Sequence, residues 1–103
     1  MTHDEMNRLA AIHVMKIEPA QDDSWWDGYY NYSNKGHYCT SIADAMMLPE
    51  NLDRMWYISC SYNPRDNEWS CYLIDDDSIE FEDTAVELSE AITIVCLKAV
   101  GVL

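Results

Sequence analysis

Two stretches of alternating side chains, MWYISCSY and WSCYLID, flank the polar run NPRDNE. In a strand successive side chains point to opposite faces, so this pattern asks for an antiparallel hairpin. Trp56, Ile58, Cys60 and Tyr62 share one face of the first strand, and Met55, Tyr57, Ser59 and Ser61 the other. With Tyr62 facing Trp69 across the turn, the register places Cys60 directly opposite Cys71, on the same face as Trp56, Ile58 and Leu73. Both thiols are therefore expected in the core.

The rest of the chain supplies elements to pack on that hairpin. Asp75-Asp76-Asp77 reads as a turn, and SIEFED as a third strand with Ile79 and Phe81 inward and Glu80 and Glu82 outward. Thr84 and Glu87 have capping-box spacing before LSEAITIVCLKAV, a helix apolar almost all round, with Leu88, Ile92, Val95 and Ala99 its strongest stripe and Gly101 its stop. Such a helix is either central in the core or covered by a second copy, which makes a homodimer one expectation. At the other end Thr2 and Glu5 form a capping box for a helix from about His3 to Lys16, burying Met6, Leu9, Ala10, His13 and Ile17, before Pro19. Ser41 and Asp44, with Thr40 as a competing cap, open another helix, with Ile42, Ala45, Met46 and Leu52 near one face. Pro49 must end it or force an irregular turn. Residues 21–39 are either a short hairpin about Asp27-Gly28 or a long loop.

The expected fold is α+β: an antiparallel sheet of three to four strands with helices packed on its faces, in the order α-(hairpin or loop)-α-β-β-β-α. At 103 residues, the whole span 1–103 makes a single domain. Its 19 acids against 6 Lys and Arg give a formal net charge of -13, so nucleic acid and anionic membranes should repel it, and basic partners are favoured. The first residues have the acids and Asn that a signal peptide avoids, and no apolar run is long enough to span a bilayer, so a cytoplasmic protein is expected. Cys39, Cys60, Cys71 and Cys96 form no C-x-x-C pair, so no zinc site is indicated and reduced thiols are the expectation. The Asp run lacks the spacing of a calcium loop. No metal or cofactor is implied. His37 and Cys39 lie close in sequence, but no orienting acid accompanies them, and no catalytic constellation emerges.

Three islands, LAAIHVMK, YCTSIADAMMLPENL and FEDTAVELSEAITIVCLKAVG, cover close to half the chain. In that order they resemble small bacteriophage and prophage proteins with a phage ABA sandwich domain. The resemblance implies helices on both faces of a sheet, phage origin and residence in the bacterial host's cytoplasm. It carries no catalytic residue. Val14, Thr40, Ile42, Ala43, Ala91, Ile92, Cys96 and Leu97, which carry it, are helix starts and core positions. Lys16 stands where the family commonly has Gly, Ser41 where it has Asp, and Pro49 where its second helix continues.

Two functional classes follow. In the first, the chain binds a basic host protein surface through Asp75, Asp76, Asp77, Glu80, Glu82, Asp83, Glu87 and Glu90, a segment with no basic residue. Such an array imitates the phosphates a basic groove expects, as an inhibitor of host defence or of a nucleic-acid-binding protein would, in the manner of anti-CRISPR proteins. In the alternative, Trp25, Trp26, Tyr29, Tyr30, Tyr32 and Tyr38 form a small-molecule pocket, with His37 or Lys35 as its polar contact.

Overall fold

The structure, a computed structural model, describes residues 2–16, 37–52 and 55–103, with the backbone alone at 55 and 56. The element order is α1 (His3–His13), α2 (Ile42–Ala45), α3 (Met47–Glu50), β1 (Met55–Asn63), β2 (Glu68–Asp75), β3 (Glu80–Ala85) and α4 (Leu88–Ala99). It is an α+β fold with helices packed against a three-stranded antiparallel sheet. Ile17, Pro19 and the Trp56 side chain, which entered the expectations above, lie outside the described residues.

Helix α1 begins as its capping box requires, with the Glu5 N–H donated to Thr2 Oγ1 at 3.1 Å. It stops at His13, short of Lys16. The N–H groups of Val14 and Met15 both fall on the Ala10 carbonyl, and Lys16 then takes φ 60. That is left-handed backbone, which favours glycine. The buried stripe is Met6, Asn7, Ala10, Ala11 and Val14, while His13 faces solvent. A polar partner rotates the helix: Asn7, 6 % exposed, turns inward because its Oδ1 accepts the Cys39 N–H at 2.9 Å.

Pro49 shapes the next segment. Within one continuous helix its ring would clash with the carbonyl of Ala45. The chain breaks at Met46 and restarts, so that Pro49 falls in the first turn of α3, where its missing N–H has no helical partner to lose. The break also changes the inward face: Ala45 and Leu48 are buried, whereas Ile42 and Met46, expected inside, are 55 % and 43 % exposed. Ser41 is the cap, accepting the Asp44 N–H at 3.3 Å.

In the sheet, order β1-β2-β3, Tyr62 pairs with Trp69 and Cys60 with Cys71 as the alternation requires. The two rings of the Tyr62–Trp69 pair stand 5.2 Å apart. Three cross-strand rows make the inner face: Ile58–Leu73–Phe81, Cys60–Cys71–Asp83 and Tyr62–Trp69–Ala85. Helix α4 lies on the β2 and β3 side of this face, and α1, α2 and α3 pack on α4 in turn. Its burial at Ser89, Ala91, Ile92, Thr93, Val95, Cys96 and Leu97 is thus achieved within one chain. The sheet and the protein's own helices pack around α4. Among the described residues, the helices all stand on this one face.

Two expectations fail around β3. Ile79 is exposed, because the strand starts only at Glu80 and Ile79 belongs to the turn before it. Thr84 does not cap α4. It is spent in the ladder opposite Ser70, in a strand that runs to Ala85, and the helix begins at Leu88 with Glu87 in the cap position and no side-chain hydrogen bond there. Cys60, expected in the core, is exposed. Among the described residues, helix α4 covers the β2 and β3 side of the sheet and not Cys60 on β1, while Cys71 beside it is fully buried.

Candidate functional site

The sheet's opposite face carries the residues in the other phase of the alternation. Its rows are Tyr57–Ile74–Glu80, Ser59–Tyr72–Glu82 and Ser61–Ser70–Thr84. Tyr57, Ser59, Ser61, Glu80, Glu82 and Thr84 are exposed, and Ser70, Tyr72 and Ile74 half-buried. None of these positions holds a Lys or Arg. Tyr72 donates its hydroxyl to the Glu80 side chain. That bond, followed by a little desolvation and the negative charges of Glu80 and Glu82, pushes the phenol up to about 12. The face therefore offers carboxylates and a neutral phenol ring side by side, a surface suited to ammonium and guanidinium groups, which pair with carboxylates and rest on aromatic rings.

The acids singled out from sequence divide on folding. Asp75 is only 8 % exposed, and its Oδ1 accepts the N–H groups of Asp77 and Ile79, so it builds the turn. Asp83 faces the helix side and meets Lys98 Nζ, which also donates to the Glu82 carbonyl at 3.3 Å. Glu90 is half-buried, 3.4 Å from His3 Nε2. These three make contacts within the molecule. Glu80 and Glu82 remain on the open face, with Asp76, Asp77 and Glu87 exposed at its margin. One oxygen from each of Asp75, Asp76 and Asp77 lies within 4.8 Å of the others. That closeness follows from the tight turn itself.

Of the aromatic set, Trp25, Trp26, Tyr29, Tyr30 and Tyr32 lie outside the described residues. Tyr38 is buried in the core. His37 and Cys39 also part: the His37 N–H donates to Asp44 Oδ2 at 2.9 Å on the surface, while Cys39 is buried. Burial pushes the Cys39 thiol up to about 11, against the lowering effect of a hydrogen bond with Thr93. A thiol so held is a poor nucleophile. Tyr57 and Tyr72 were not among the sequence candidates. Their signal lay in the polar phase of the hairpin, which reads as plain solvent exposure until the third strand places Glu80 and Glu82 beside them. No protein-family model, curated protein or solved structure matches the chain.

Proposed function

We propose that this chain acts by binding a basic protein surface through the open face of its sheet. The observation that carries the reading is the pair of rows Tyr57–Ile74–Glu80 and Ser59–Tyr72–Glu82, in which exposed Tyr57, Glu80 and Glu82 lie beside half-buried Tyr72 with no Lys or Arg in either row. A net charge of -13 supports it by steering cationic partners toward the molecule over a distance set by salt. The three sequence islands extend the proposal to phage origin and to a host nucleic-acid-binding or defence protein as the target, whose groove the carboxylates would occupy in place of phosphates.

The test uses a Lys- and Arg-rich peptide titrated into the isotope-labelled protein. The amides of Tyr57, Tyr72, Glu80 and Glu82 should move first, and affinity should fall as ionic strength rises to about 0.15 M. The variant Glu80→Gln with Glu82→Gln should fold normally and lose most of the binding. Shifts spread evenly over every acid, or centred on residues 25–32, would overturn the assignment of this face.

A further inference from the structure

Cys60 and Cys71 occupy directly opposed positions of an antiparallel pair, where Cα atoms stand about 4.5–5.5 Å apart, inside the range a disulfide spans. Their sulfurs are 3.0 Å apart, so side-chain rotation has about 1 Å to close. The two thiols differ in one respect that matters. Cys60 is exposed at the β1 edge, and Cys71 has no exposed surface at all. An oxidant in solution can reach the first and only the first.

We propose that Cys60 and Cys71 form a thiol–disulfide modification site, whose substrate is a low-molecular-weight disulfide such as oxidised glutathione. The Cys60 thiolate attacks one sulfur of the substrate, the substrate's S–S bond breaks, and the departing thiolate takes up the proton that Cys60 released. Cys71 then gives up its proton and attacks Cys60 Sγ in the mixed disulfide, expelling the second small thiol, which leaves protonated. Two protein thiols are oxidised to one disulfide, and one small disulfide is reduced to two thiols. Burial holds the Cys71 thiol well above its ordinary range, which disfavours its thiolate; contact with its target offsets this by replacing a bimolecular encounter. The bond would tie the edge strand β1 to the central β2.

The experiment exposes the full chain to mixtures of oxidised and reduced glutathione, then alkylates it under denaturing conditions and maps the peptides by mass. The wild-type protein should lose two hydrogens, join Cys60 to Cys71, and label only Cys39 and Cys96. Cys71→Ala should stop at a glutathione adduct on Cys60, and Cys60→Ser should gain neither adduct nor bond. Four labelled cysteines in the oxidised wild type, a persistent adduct on Cys60, or a bond from Cys71 to Cys96 would each overturn the proposal. Because the wild-type map decides the pairing alone, a variant that fails to fold does not obscure the result.

Discussion

Asn7 and Cys39 show how single residues hold distant parts of this chain together. The Cys39 peptide gives its N–H to Asn7 on α1 and takes the Ser89 hydroxyl of α4 on its carbonyl at 2.8 Å, so both backbone groups of one buried residue are satisfied by side chains. Asn7→Ala leaves the Cys39 N–H without its acceptor, and the expected loss is about 1–3 kcal/mol, read as a lower urea midpoint at unchanged slope. The buried thiols make a second prediction. Relative to an ordinary value of 9.0, burial raises Cys39 to about 11 and Cys96 to about 12. Below pH 9 both folded and unfolded chains keep these protons. Above it the unfolded chain releases them first, so the stability their protonated burial provides falls as pH rises toward the folded values. The urea midpoint should therefore be lower at about pH 10 than at about pH 8, and Cys96→Ala should reduce the difference. An equal midpoint at both would show that these thiols titrate as in the unfolded chain.

At the scale of elements, the alternating hairpin was the most legible part of the sequence and α4's start the least. Hairpin register follows from which side chains can share a covered face, and Tyr62–Trp69 and Cys60–Cys71 pair accordingly. The cap failed because Thr84 had two local solutions, strand or helix start, and pairing with Ser70 in the ladder won. Thr84→Ala should then change stability by less than about 0.5 kcal/mol, as at other exposed positions. Glu87 has the extended backbone of a cap residue, φ -101 and ψ 136, but its side chain makes no cap bond. Glu87→Asp, with a carboxylate on a shorter stem, should accept the free N–H of the first turn and stabilise the protein by roughly 0.5–1 kcal/mol in chemical denaturation. A destabilised Thr84→Ala together with an unchanged Glu87→Asp would return the cap to Thr84.

Across the whole molecule the excess of acids works against compactness, since like charges on a small body repel. Lys98 is set against Asp83, which offsets part of the acidic segment's self-repulsion. The rest is open to screening. The thermal midpoint should rise from low ionic strength to about 0.15 M salt, and the rise should shrink in the Glu80→Gln, Glu82→Gln variant, whose open face carries fewer charges. A flat salt response would mean that the remaining carboxylates are already neutralised in pairs.

The sequence alone determined the α+β class, the order of elements, the hairpin register, the α1 cap and the break that Pro49 imposes. Each depends on neighbours a few residues apart or on a two-residue period, and local sterics and hydrogen bonding act at that range. What the acids meet was decided by tertiary structure: Asp83 meets Lys98, Glu90 lies near His3, and Glu80 and Glu82 are set beside Tyr57, Ile74 and Tyr72 only when β3 joins the hairpin. Tertiary packing likewise turned Asn7 inward, because an unsatisfied N–H in the interior costs more than burying an amide that can accept it. It also left Cys60 at an uncovered edge beside a buried Cys71, since a single helix is narrower than three strands and α4 settled over β2 and β3.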